Sequence, residues 1–393
     1  MTQGKSPLLK LIFILIFIGL TFISISSLTE ANNTIGDKFF YLKKQIFWII
    51  ISFIAFYITS KINLKIVKKL AFPLYFFSII CLILVLIPSF SNQALGASRW
   101  LNLGLFSFQP SELLKLTSII YFASLFSVDS KRNFINLVIY LTIPFILIIL
   151  EPNLSTAILI SAIVISMFYL SGGKILPLFL LCLTLITLSI GLIYVSPYRR
   201  ARLDTLVNPT KTTQSTSYHS NQIILSLSSG GIFGKGFANS DQKYRFLPKI
   251  STDSILAIIG EETGFVGISL ILIIYIALIT YLIKLASSII DDPFLALIIS
   301  GTTCWITYQS LINIAAIASI IPLTGVPLPF ISYGGSSLFT LMIAIGLVRN
   351  IEKKHPLLIY SNNETVRKKN YHHRHSSYSS PRANSPTSSR SKK

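Results

Sequence analysis

The feature that most constrains this chain is a series of about ten runs of some 18 mostly apolar residues. They fall near 8–28, 45–60, 70–88, 111–128, 134–150, 154–171, 175–196, 254–283, 293–321 and 333–349, the second being short. Lipid offers no hydrogen-bond partner to a bare peptide group, so only helices and closed barrels cross a bilayer. The chain therefore reads as an all-α polytopic membrane protein. Its 52% hydrophobic and 12% charged residues exclude an ordinary soluble domain. The first run could pass for a signal peptide, but it is long for one and further spans follow directly, so it reads as an uncleaved helix.

Lysines and arginines in short loops set orientation. With the N-terminus in the cytoplasm, Lys61, Lys65, Lys68 and Lys69 share one cytoplasmic loop, Lys131 and Arg132 the next, and Lys174 and Lys284 the remaining two. The short loops opposite carry Lys38, Lys43, Lys44 and Arg99. An even number of spans returns the C-terminus to the cytoplasm. Cys81, Cys182 and Cys304 all lie in apolar runs and read as packing residues rather than as a disulfide framework or metal site.

Residues 1–349 read as one membrane domain, with a long outer loop at about 197–253 between the seventh and eighth spans. That loop is basic: Arg199, Arg200, Arg202, Lys211, Lys235, Lys243, Arg245 and Lys249 face only Asp204, Asp241 and Asp253. Such a loop would attract a phosphate, a pyrophosphate or anionic headgroups, although charge alone also suits a solvated loop. The tail, 350–393, is basic and rich in Ser and His, without apolar periodicity, and reads as disordered. A contact with the anionic inner leaflet suits it better than metal binding by His372, His373 and His375. No folded nucleic-acid module accompanies it, and no nucleic-acid partner is expected.

Four clusters carry the chemistry, all on the outer side in this topology. The first runs from Gly96-Ala97-Ser98-Arg99-Trp100 to Gln109-Pro110-Ser111-Glu112-Leu113-Leu114-Lys115. Pro110 or Ser111 opens a helix, and Glu112 and Lys115 share a face, which also fits a capped helix with a surface ion pair. The second is the turn Glu151-Pro152-Asn153-Leu154-Ser155-Thr156, for which helix capping suffices. The third is Ser229-Gly230-Gly231-Ile232-Phe233-Gly234-Lys235-Gly236, then Gln242-Lys243 and Thr252-Asp253. Its glycines permit close backbone approach to a ligand, or merely a flexible loop. Asp253 stands where the polar loop meets an apolar helix, in a chain with 14 acidic residues against 34 basic ones. An acid at a membrane edge is costly and marks function. The fourth, Pro322 to Ser337, holds Pro327, Pro329, Ser332, Tyr333 and Gly334 and reads as a broken element lining a cavity or buried in protein.

Together these clusters resemble the SEDS family (shape, elongation, division and sporulation), typified by FtsW and RodA, across nearly all of residues 10–350. Asp37 to Gln45 looks more like the FtsW branch. The resemblance implies an inverting peptidoglycan glycosyltransferase that polymerises lipid II on the outer face of the plasma membrane. Asp253 matches the family's essential aspartate, and Glu112 and Lys115 match its Glu-x-x-Lys site. A sugar hydroxyl must lose a proton as it attacks the anomeric carbon, so Asp253 is expected as base or metal-assisted base. The lipid pyrophosphate leaving group needs positive charge, from side chains or from a divalent cation such as Mg2+ or Mn2+ whose ligands are unknown. Lys115, Arg199, Arg200, Lys243 and Arg99 are the candidate phosphate partners, with Gln242, Gly230, Gly231, Ser332, Tyr333 and Gly334 completing the substrate site.

The chain departs from the family pattern at Ser98, Asn153, Ser155, Lys249 and Ser254. Asn153 removes a carboxylate and puts a metal role there in doubt. The resemblance also implies a class B penicillin-binding protein as partner, beside other division or elongation proteins. Three alternatives remain at this stage: a lipid II flippase, an elongation polymerase of the RodA type, and a catalytically silent scaffold. The outer position of Asp253, away from the midplane, favours the enzyme over a transporter.

Overall fold

The computed structural model describes residues 6–35, 37–94, 97–102, 104, 107–207, 214–240 and 252–355. Gln242, Lys243, Lys249 and the tail from 356 lie outside the described residues. All ten apolar runs form helices: α1 (Pro7–Ile35), α2 (Phe40–Thr59), α4 (Ala71–Leu86), α5 (Pro110–Phe126), α6 (Phe134–Leu150), α7 (Leu154–Leu170), α8 (Ile175–Val195), α11 (Ile255–Ser288), α12 (Pro293–Ile317) and α13 (Gly335–Lys354). The short second run resolves itself because α2 begins at Phe40 and recruits Tyr41 to Lys44. Among the described residues five helices, α1, α2, α8, α11 and α12, are long and apolar enough to cross a membrane, and α4, α6 and α7 are shorter apolar helices. Phe17 at 71%, Phe179 at 64% and Ile276 at 62% exposure would be untenable in water and mark a lipid-facing exterior.

Local signals set the helix starts. Asn63 caps the short α3 (Leu64–Lys69) by accepting from the Lys65 amide, and Asn133 caps α6 through Ile135. Asp292 accepts from the Phe294 and Leu295 amides, with Pro293 as the first residue of α12. Helices α5 and α12 form the centre of the bundle, whereas α8 buries only Leu178 and stands at its edge. Ser6 donates to Glu352 at 2.7 Å, and Asn350 donates to the carbonyls of Thr59 and Ile62. Both ends of the membrane region therefore lie on one face, beside the loop holding Lys61, Lys65, Lys68 and Lys69.

Three features depart from expectation. A small antiparallel sheet, β1 (Ser91–Ala94), β2 (Ala97–Asn102) and β3 (Ser107–Phe108), carries the first cluster into α5. The long outer segment is not a loop throughout: it folds into α9 (Pro197–Val207) and α10 (Gln214–Gly230). The final helix runs to Lys354, past the expected boundary at 349.

Helix α11 is broken at Gly264, whose φ of +65° and ψ of −162° are not helical. The stretch after α10 fills the break. The Phe265 and Val266 amides donate to the carbonyls of Gly231 and Ile232, while those of Lys235 and Gly236 donate to Glu261 and Glu262. This exchange satisfies backbone groups that lipid could not. The acids are met as well: Lys235 Nζ lies 3.0 Å from Glu261 Oε1, Ser240 donates to Glu261 Oε2, and the Ala238 amide donates to Glu262 Oε2. A Cβ on Gly230 would sit 2.1 Å from the Gly260 carbonyl oxygen, so α10 and α11 touch backbone to backbone there. Gly230→Ala is expected to destabilise the protein by about 1–3 kcal/mol, read as a lower unfolding midpoint in detergent, with proteolysis increased between α10 and α11.

Candidate active site

One face of α12 organises the site. Trp305, Gln309 and Asn313 follow at intervals of four and stack along it. The Gln309 side-chain oxygen accepts from Trp305 Nε1 at 2.7 Å and from Lys115 Nζ at 2.8 Å, while its amide donates to the Pro327 carbonyl at 2.8 Å. Lys115 pairs with Glu112 at 2.7 Å, both nearly inaccessible, and stands 5.0 Å from the Trp305 ring. Glu112 and Lys115 thus share the helical face that their spacing predicts, but the pair is buried within the bundle rather than solvated. A further hydrogen bond from Lys115 links the pair to Gln309 and, through it, to the irregular segment between α12 and α13.

One turn further on, Asn313 Nδ2 donates to the Asp253 carbonyl at 3.0 Å and to the Val326 carbonyl at 2.8 Å. The turn ahead of α11 and the Pro-rich segment are therefore fixed to the same side chain. Asp253 is half-buried. Its Oδ1 accepts from Thr252 at 2.6 Å, and its Oδ2 points towards Gly325, where an added Cβ would lie 3.6 Å away. With a φ of +70°, Gly325 also occupies backbone space that other residues rarely adopt.

Beside this turn is a cavity of about 290 Å3. Thr252, Gly325, Tyr333 and Gly334 line it together with Lys44, Trp48, Trp100, Gln109 and the first turn of α13. Three of the four clusters thus converge, since Trp100 and Gln109 come from the first, Thr252 from the third and Gly325 to Ser337 from the fourth. Tyr333 meets Tyr41 edge to face at 5.4 Å, and Ser332 accepts from the Leu328 amide, pinning the segment. A larger cavity of about 690 Å3 opens between the ends of α5, α7 and α11 and one side of α12, and none of these groups lines it.

The other basic residues are placed differently. Arg99 donates to the carbonyls of Glu151 at 3.1 Å and Pro152 at 2.5 Å, and Arg199 to those of Ile149 and Leu192. Two guanidinium groups thus close the C-terminal end of α6, where the helix dipole favours positive charge. Arg202 donates to the Leu323 carbonyl and ties α9 to the fourth cluster. Arg200 is exposed and lies 5.8 Å from the Tyr194 ring. Gly230 and Gly231 meet the backbone of α11, so their close approach is to protein.

The Glu151 carboxyl is wholly buried and takes no hydrogen bond among the described residues. Burial pushes it up to about 8 although Arg99 pulls the other way. The folded protein therefore keeps a proton that the unfolded chain has released, and stability falls as pH rises from about 4.5 to 8. Glu151→Gln is expected to flatten that fall, seen by comparing unfolding midpoints of the two proteins at pH 5 and pH 8.5.

The sequence model of the FtsW/RodA/SpoVE family, described as cell cycle proteins, matches residues 6–356. This chain belongs to that family. Among curated relatives, the stage V sporulation protein E of Bacillus subtilis is 32% identical over 90% of this chain and 98% of its own length. The probable peptidoglycan glycosyltransferase FtsW of Buchnera aphidicola is 34% identical, covering 86% of this chain and 90% of its own. Among solved structures, a chain of a peptidoglycan synthase complex that coordinates polymerization and crosslinking superposes with a TM-score of 0.73 at 23% identity, covering 90% of this chain and 99% of that one. Thermus thermophilus RodA gives 0.67 at 22% identity, with 90% and 98% covered. These SEDS structures share the present fold.

Within this SEDS bundle, several residues that shape the site were not singled out in the sequence. Gln309 and Asn313 had a readable signal, two amides four apart on an apolar helix. Glu261 and Glu262 had a stronger one, adjacent acids inside a membrane run. His219 and Trp48 had none, because nothing local to either reveals the neighbour it meets.

Proposed function

We propose that this chain polymerises lipid II into glycan strands on the outer face of the plasma membrane, as a peptidoglycan glycosyltransferase of the FtsW kind. The observation that carries the reading is the position of Asp253: a half-buried carboxylate with Oδ1 bonded to Thr252 and Oδ2 towards Gly325, both of which line a cavity where three of the clusters meet. A sugar hydroxyl attacks the anomeric carbon bearing the lipid pyrophosphate. A carbon–oxygen bond forms, the bond to pyrophosphate breaks with its electron pair, and Asp253 Oδ2 takes the hydroxyl proton. Lys44 and the start of α13, which line the cavity, supply charge for the phosphates.

The donor set fits a shared rather than an enclosed metal site. No cluster of three or more His, Cys, Asp or Glu occurs among the described residues. Mg2+ is commonly held by one or two carboxylates together with substrate phosphates, and Asp253 is the carboxylate placed for that. A bound divalent cation would neutralise charge on the departing pyrophosphate. Glu112 and Lys115 act in this reading as a positioning pair, because both are buried and reach the site through Gln309.

The lysine-rich face that holds both ends of the membrane region faces the cytoplasm, which puts Asp253 outside. A class B penicillin-binding protein is the partner proposed, since the synthase complex with the same fold couples polymerization to crosslinking. The deciding experiment supplies purified lipid II to the protein, alone and with that transpeptidase, and separates the products by length. Glycan strands are expected. Lipid II that binds without polymerising in either condition would shift the assignment to a flippase or scaffold.

A further inference from the structure

We infer that His219 is a positioning residue for Asp253, acting through Ser254, an inference that rests on the glycosyltransferase reading. Ser254 is the N-cap residue of α11 and is fully buried. A serine there ordinarily accepts from an amide of the first helical turn, and Ser254 makes no such bond. Its hydroxyl lies instead 3.2 Å from His219 Nε2, on α10, a partner 35 residues away in sequence. The backbone matches this choice: Ser254 has a ψ of 9°, outside the extended region that a capping serine adopts.

The turn holding the carboxylate is therefore fastened at two points by other elements. Asn313 of α12 holds the Asp253 carbonyl, and His219 of α10 holds the next side chain. Without His219 the Ser254 hydroxyl would be buried without that partner and free to cap α11. Capping requires its backbone to swing out, and that swing would turn the peptide joining it to Asp253. Helix α10 is itself locked to α11 at Gly230, so the His219 link transmits the seating of the outer segment to the reacting oxygen.

The test is a cycle of His219→Ala, Ser254→Ala and the double variant, with His219→Gln as the conservative control, in full-length protein supplied with lipid II. Each single variant is expected to lose about tenfold in kcat with KM and unfolding midpoint unchanged. The double variant should lose no more than either single one, and His219→Gln, whose amide can still reach the serine, should restore most of the rate. Losses that multiply in the double variant, wild-type kcat in His219→Ala, or a midpoint that falls with the rate would overturn the inference. Hydrogen exchange over residues 252–257 gives a readout independent of turnover, and is expected to differ between His219→Ala and the wild type. Unchanged exchange there also defeats the link. A wild type that makes no polymer defeats the glycosyltransferase reading instead, and the exchange comparison still decides whether His219 holds the turn.

Discussion

Asp253→Asn should abolish polymer formation, by about 10²–10⁴-fold for a lost general base, while the protein keeps its fold. The bonds around this residue explain the separation. Thr252 donates to Oδ1, a position that an amide oxygen can occupy unchanged, and Asn313 holds the main-chain carbonyl, which the substitution does not touch. What changes is the outer atom facing Gly325, where an amide nitrogen cannot accept a proton. Strand synthesis from lipid II and an unfolding midpoint, measured on the same preparation, check both halves. An active Asp253→Asn protein would remove the base assignment, and an unfolded one would mean that the carboxylate is structural.

Lys115→Met should produce the largest loss of stability of any single change considered, about 3–5 kcal/mol. The substitution nearly conserves volume but leaves Glu112, at 4% exposure, buried without its counter-charge. It also removes one of two donors from the Gln309 oxygen and so loosens the amide that holds Pro327. Adding Glu112→Gln should restore much of the midpoint, because a neutral amide needs no partner charge. Turnover provides the second readout. If the two residues act only by positioning the segment before α13, the double variant regains rate along with stability. Restored stability without restored rate would place Lys115 at the phosphates.

Much of this protein is legible in its sequence. Ten apolar runs become ten helices because in lipid each segment must satisfy its own backbone, which makes hydropathy a local and sufficient signal. Caps at Asn63, Asn133 and Asp292 are likewise written in the few residues around them. Asp253, Glu112 and Lys115 stood out because ionisable groups are rare in such runs. The outer segment was harder. Charge made 197–253 look like a solvated loop, whereas α10 buries Ile223 and Ser226, three apart on one face, and packs against α11.

The sequence by itself determined the class of fold, the ten apolar helices, the family and the residue types that chemistry requires. Only the tertiary structure decided how those residues are used. It buried the Glu112–Lys115 pair, turned Arg99 and Arg199 onto the end of α6, set Gly230 against the backbone of α11, and gathered Trp100, Thr252 and Tyr333 round one cavity. Helix formation and insertion depend on neighbours within a turn or two, which a sequence displays directly. Burial, pairing and the direction of a carboxylate depend on contacts between residues such as Lys115 and Gln309 or His219 and Ser254, which are distant in the chain and meet only when the helices pack.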